Sequence, residues 1–366
     1  MSTVAIETAS LISVRTLRWS KLASIIALLG LTPVISHVHL GVIRMTFLFA
    51  IIPAFTAWGL GALLVREIAR RTQRGWATIV LLGCAVALAE ECLFLQTSFF
   101  PLIGTDPQHA YGRISGVNWA YLLWALGYET VWAFVIPIFL IESLFPATRD
   151  KPWLGRVGLS LLAILFVGTG LARWYAWTQV FIPENFSAWN QGPSRFQVGF
   201  ALLIVAAIAI ATLVWGALSR RTLSTSVRVP SQGALTLAGC TLGLIWSVPL
   251  FLAYGVAPDV SILLVLGVGV AVCAMFSRVM IRWTGSMQWR RRDGFPLVFG
   301  ALLASAMSGF LILYGGQAPG VDYAGKIVVN LFALTFVGWL WRAESKKSLL
   351  TNEGASGNVL DTMRVT

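Results

Sequence analysis

The sequence predicts an all-α polytopic integral membrane protein of about ten transmembrane helices, with the N and C termini both cytoplasmic. Three observations carry that reading. Hydrophobic residues make up 57% of the 366 residues and charged residues only 11%, where a soluble domain carries about a quarter. The apolar residues gather into ten runs, at 20–37, 45–66, 76–98, 118–145, 155–175, 196–217, 233–254, 259–280, 295–315 and 325–342. Crossing about 30 Å of hydrocarbon takes about 20 residues at ~1.5 Å each, so the runs have spanning length. Lastly, the Lys and Arg residues alternate from gap to gap, and positive charge near span ends stays cytoplasmic.

That alternation fixes the elements in order. Arg15, Arg18 and Lys21 precede or open the first run, which reads as an uncleaved signal-anchor because nine more runs follow it. Arg66, Arg70, Arg71 and Arg74 lie between runs two and three, and Arg149, Lys151 and Arg156 between four and five. Arg220, Arg221 and Arg228, then Arg278, Arg282 and Arg290–Arg292, continue the same parity, and Arg342, Lys346, Lys347 and Arg364 mark the tail. The opposite parity holds only Arg44, Arg113, Arg173, Arg195 and Lys326. Trp19, Trp76, Trp119, Trp174, Trp283 and Trp339 fall near run ends, as an interfacial aromatic belt should. Pro33, Pro53, Pro137 and Pro249 lie inside runs and are expected to kink them. Gly239 and Gly243 form a GxxxG pair suited to close helix packing. Residues 1–342 make a single membrane domain; 343–366 turn polar and are expected to be a disordered cytoplasmic tail. The loops near 99–117 and 176–195 face outside, and the second contains the sequon Asn185-Phe186-Ser187.

Composition excludes several functions. The net charge of +12 is explained by topology and by attraction to anionic lipid headgroups at the cytoplasmic face, not by nucleic acid. The four cysteines lie in apolar runs without CxxC spacing, and three histidines are too few for a His-based metal site. No metal or cofactor is expected, and no Gly-x-x-x-x-Gly-Lys-Ser/Thr loop is present for an ATP-driven pump. The expected partner is the lipid bilayer; protein partners are unassigned.

Of the 15 acidic residues, only Glu90, Glu91 and Glu129 lie deep within runs. Glu90 is 14 residues past Trp76, or about 21 Å along a helix; Glu129 is 10 past Trp119, or about 15 Å. The third and fourth runs travel in opposite directions, so the three carboxyls share the outer half of the bilayer. A carboxylate at that depth costs several kcal/mol unless paired, hydrated or protonated. Adjacent Glu90 and Glu91 project about 100° apart and cannot meet one ligand equally. Candidate partners are Gln96, His37, His39, Arg113 and Arg173, with Arg173 the favoured cation by depth. Tyr121, Trp124, Tyr128 and Trp132 form a stripe beside Glu129, read either as a binding surface or as core packing.

The segment Ala87-Leu88-Ala89-Glu90-Glu91-Cys92-Leu93-Phe94 resembles the first motif of the CAAX-protease and bacteriocin-processing family of intramembrane glutamyl proteases. That resemblance implies acid–base work by Glu90 and Glu91; the family's Arg position holds Leu95, and its later histidine motifs are absent. A broader stretch, about 55–156, resembles a set of uncharacterised multi-pass bacterial membrane proteins. It is carried by Gly59-Leu60-Gly61 through Arg66-Glu67, Gly75-Trp76, Glu90-Glu91, Gln96, Glu129-Thr130-Val131-Trp132 and Pro152-Trp153-Leu154-Gly155. It implies a bacterial cytoplasmic-membrane location and supplies no activity. The expected function is a transporter or permease with a carboxylate-lined outer-half cavity, whose site draws on Glu90, Glu91, Glu129, Gln96, Arg173, Tyr128 and Trp132. The alternatives are a divergent glutamyl protease or other membrane enzyme, and a non-catalytic scaffold.

Overall fold

The computed structural model describes the backbone of residues 2–102, 111–186, 192–218 and 227–364 and the side chains of 17–102, 111–186, 192–214 and 227–346. Ser187 of the sequon and His109 lie outside the described residues.

Among the described residues, ten helices are long and apolar enough to cross a membrane: α1 Leu17–Val38, α2 Met45–Arg71, α3 Trp76–Phe94, α4 Trp119–Leu144, α5 Arg156–Asn185, α6 Arg195–Val214, α7 Gln232–Ala253, α8 Ile262–Thr284, α9 Arg291–Gly315 and α10 Gly320–Lys346. Each contains one of the ten apolar runs or nearly all of it. Two ends differ from the sequence reading. α5 continues to Asn185, so much of the expected 176–195 loop is helix. The last helix continues in its backbone to Arg364, where a disordered tail was expected. Ala, Glu, Lys and Leu in Ala343–Leu350 favour helix once an apolar helix precedes them.

Burial is uneven, and that places the centre of the molecule. The apolar windows of α4 and α3 are 72% and 61% buried, whereas those of α6 and α8 are 11% and 6% buried. α8 turns Leu263, Leu264, Val270 and Met275 outward, the pattern of a helix meeting lipid rather than protein. α7 and α9 pack backbone to backbone. A Cβ at Gly239 would stand 2.3 Å from Leu297 O, and one at Gly300 2.0 Å from Thr236 O. The GxxxG pair therefore works as a close-packing contact, with Gly300 as its counterpart on α9.

Each of α1 to α5 contains a π-helical segment: Val34–Val38, Phe55–Gly59, Glu90–Phe94, Glu129–Val135 and Tyr175–Phe181. Among the described residues, α6 to α10 contain none. Pro137 and Pro183 follow two of these segments. Each lacks the N–H that would bond the carbonyl four residues earlier, at Ala133 and Gln179, so the ladder shifts register there. The π segment of α3 has no adjoining proline; it begins at Glu90 itself.

Between α3 and α4, β1 Arg113–Ile114 and β2 Val117–Asn118 pair antiparallel across Ser115 and Gly116, both at positive φ (51° and 80°). Asn118 then caps α4, its Oδ1 accepting from Tyr121 N at 3.0 Å. Arg113 serves this turn, donating to Phe99 O, Phe100 O and Gly116 O.

At the arginine-rich end a buried ionic network locks α2, α4 and the segment between α4 and α5. Arg66, fully buried, donates to Glu67 Oε1 (2.7 Å), Glu142 Oε1 (3.3 Å), Thr148 O (3.2 Å) and Arg149 O (2.7 Å), with its guanidinium 3.5 Å from the Trp153 ring centroid. Arg70 grips Glu142 through both oxygens, at 2.7 and 2.6 Å. Glu67 accepts from the backbone N–H of Trp153 and Leu154. Buried charges hold only when paired and fully hydrogen-bonded, and here they are.

Candidate functional site

Glu90, Glu91 and Glu129 are brought together where α3, α4 and α5 meet, and they are 0%, 2% and 4% exposed. The two π segments that begin at Glu90 and Glu129 set their directions. The neighbouring glutamates diverge, as a helical step of about 100° requires. Glu90 points to α5, where Arg173 Nη2 donates to its Oε1 at 2.6 Å. Arg173 Nη1 also donates to Thr56 Oγ1 at 2.9 Å and Thr169 Oγ1 at 3.3 Å, and its guanidinium lies 5.9 Å from the Phe94 ring centroid. Glu91 points to α4. Its carboxyl neighbours that of Glu129, and Tyr121 OH donates to its Oε1 at 3.4 Å.

The cluster therefore divides into two unlike pairs. Glu90 with Arg173 is a neutral ion pair. Glu91 with Glu129 is a pair of acids, and an ionised carboxylate has no donor to offer. Oε2 of each is buried and receives no hydrogen bond from a donor. Glu90 Oε2 and Arg173 Nε are likewise buried and unpartnered. Buried polar atoms left unpaired are few in folded proteins, so their gathering at one place marks the site.

The other expected residues lie elsewhere. Gln96, at positive φ (55°), folds its amide back onto Leu93 O at 3.3 Å. Tyr128 turns away from the acids and donates to Ser36 O at 2.8 Å. It stacks between Trp124 and Trp132, with ring centroids 4.9 and 4.8 Å apart, and this column packs into the core formed with α7, α9 and α10. Trp124, Tyr128 and Trp132 serve core packing here, while Tyr121, the first member of the stripe, reaches Glu91. His37 stacks on Trp58 with its Nδ1 2.7 Å from Ser36 Oγ, and His39 Nε2 donates to Leu302 O at 2.9 Å. Neither reaches the carboxyls through these contacts. The expected cavity open to one side is not what surrounds the acids in this conformation; protein covers all three. Among the described residues no group of His, Cys, Asp and Glu is arranged to hold a metal ion.

Two features escaped the sequence reading. Glu67 and Glu142, near helix ends where either solvent or arginine is within reach, are fully buried against arginine. Lys326 was counted only as a charge of the minority parity, yet it is buried on one face of α10 with Asp322 and Asn330. Their four-residue spacing was the available signal. Compared with protein-family models, curated proteins and solved structures, the chain matches none.

Proposed function

We propose that the chain is a proton-coupled transporter whose ten helices span a bacterial cytoplasmic membrane, with the arginine-rich end and both termini inside. The observation that carries this reading is the meeting of Glu91 and Glu129 beside the Glu90–Arg173 pair. Two buried acids in contact are reconciled by one shared proton, and a proton held at depth between two helices is the element that a coupled carrier moves. Ionisable groups inside a membrane bundle commonly form such relays. Arg173 engages Glu90, which leaves the Glu91–Glu129 pair as the exchangeable one. On this reading the buried acids are those of an occluded state, and exposure of the pair requires α3, α4 or α5 to move. The π segments at Glu90 and Glu129 supply a place for that movement, because a register shift between π and α turns both side chains.

The glutamyl-protease alternative has less support. Glu90 is occupied by Arg173, and His37 and His39 have other partners.

The test is reconstitution into vesicles containing a pH-sensitive dye, under an inward proton gradient, with external carboxylates, amines and sugars offered in turn. Wild-type protein should acidify the lumen when one of these solutes is present, and Glu91→Gln and Glu129→Gln should abolish that acidification. Solute-dependent acidification surviving in both variants, or absent from the wild type across the panel, contradicts the reading.

A further inference from the structure

α10 carries a second set of buried polar groups that the carboxyl cluster does not use. Asp322, Lys326 and Asn330 follow one another at four-residue steps and are 2%, 2% and 5% exposed. Their roles differ. Asp322 is satisfied, accepting from Thr46 N at 2.9 Å and Thr46 Oγ1 at 3.0 Å. Lys326 donates to the backbone carbonyl of His39 and lies 5.0 Å from the Phe310 ring centroid, with no carboxylate partner among the described residues. One turn deeper, both Oδ1 and Nδ2 of Asn330 are buried without a partner. At the mouth of this face Gly41, Ile43, Arg44, Met45, Asp322 and Lys326, among others, line a recess too tight for a water molecule as it stands. Arg44 is half-buried there and has no carboxylate partner among the described residues. Gly316 makes space for it: a Cβ at that position would stand 2.2 Å from Arg44 Nη2.

A buried ammonium with one hydrogen bond retains two unused donors, and an unpaired buried charge is costly. The charges around the recess, Lys326 and Arg44 against Asp322, leave one positive charge over. A single negative charge balances it; a dianion would reverse the excess. Asn330 Nδ2 is a further donor along the same face.

We propose that the α10 face of Lys326 and Asn330, reached through the recess beside Arg44, binds a monovalent oxyanion, either a free carboxylate or the phosphodiester of a lipid. The oxyanion accepts from Lys326 Nζ and Asn330 Nδ2, and the Arg44 guanidinium closes over it. The recess is narrow as it stands, so access requires the half-buried side chains of Arg44 and Met45 to swing aside. This site is independent of the proton reading: it shares no residue with the Glu91–Glu129 pair.

The experiment uses the full chain in detergent, with and without exhaustive removal of co-purified lipid. It is titrated with radiolabelled acetate and, separately, with dimethyl phosphate as competitor, at constant ionic strength. Saturable acetate binding by the delipidated protein is expected, weakened about tenfold by Lys326→Met and several-fold by Asn330→Leu, as loss of charge-assisted and neutral hydrogen bonds implies. Should Lys326→Met fail to fold, Arg44→Gln at the recess mouth is expected to weaken binding about tenfold instead. Acetate binding that appears only after lipid removal, with dimethyl phosphate competing, identifies a lipid phosphodiester as the resident occupant. Acetate bound equally well with lipid present identifies the free carboxylate. If neither probe binds the delipidated wild type, or if Lys326→Met, Asn330→Leu and Arg44→Gln all bind as the wild type does, the proposal is overturned.

Discussion

Arg173 of α5 donates to Glu90 of α3 at 2.6 Å, and both side chains are buried, at 7% and 0% exposure. The contact ties α3 to α5. It also fixes which of two adjacent glutamates is neutralised, leaving Glu91 to face Glu129.

The pair should behave as a unit. Replacing Arg173 by Met strands a buried carboxylate and should lower stability by about 3–5 kcal/mol, whereas Glu90→Gln with Arg173→Met together should recover much of that loss. Denaturant unfolding in detergent micelles measures both. A double-variant loss equal to the sum of the losses for Arg173→Met and Glu90→Gln alone would show that the two side chains act independently.

The arginine network predicts a similar asymmetry at the other end. Glu142→Gln removes a carboxylate that accepts three hydrogen bonds from Arg66 and Arg70, and it should cost about 3–5 kcal/mol. Arg149→Gln should cost under about 1 kcal/mol, because its pairing with Asp150 is exposed. The comparison is read from midpoints of thermal unfolding.

Glycines separate the packed interior from the outward helices. Gly300→Ala drives a methyl into Thr236 O across the α7–α9 contact and should destabilise by about 1–3 kcal/mol or more. Gly267→Ala on α8, where nothing lies within 4 Å of the added carbon, should stabilise by up to about 1 kcal/mol through helix propensity. A scan of detergent-solubilised variants by fluorescence on heating distinguishes the two signs.

Orientation is tested by labelling. Val256 and Met287 are 70% and 83% exposed and lie at opposite ends of α7 and α8. In intact cells an impermeant thiol reagent should label Val256→Cys and spare Met287→Cys until the membrane is opened. The reverse pattern would place the arginine-rich end outside.

Much of this architecture is legible in the sequence, and the reasons are physical. Ten apolar runs yield ten helices because backbone polar groups in an apolar setting must be satisfied internally. Three acids in otherwise apolar runs announce a cluster, and depth alone picks out Arg173 as a partner. What resists reading is direction. Glu90 and Glu91 are adjacent in sequence, and π segments at Glu90 and Glu129 shift the register that would be needed to see that Glu91, not Glu90, meets Glu129. Glu67 and Glu142 lie close enough to helix ends to meet either solvent or arginine; Trp153 and Leu154, folded back over α2, donate to Glu67, and Arg66 and Arg70 enclose Glu142. Tyr128 and Trp132 share a face with neighbours of Glu129, but periodicity cannot say whether a ring meets a ligand or another ring.

In the proposed transporter, Glu91 and Glu129 hold one exchangeable proton between them. Infrared difference spectroscopy of the purified protein between acidic and alkaline pH measures this most directly. A carboxylic-acid carbonyl band is expected that shifts on exchange into heavy water and disappears in both Glu91→Gln and Glu129→Gln while persisting in Glu90→Gln. A band unchanged in the first two variants, or no such band in the wild type at any pH, would contradict it.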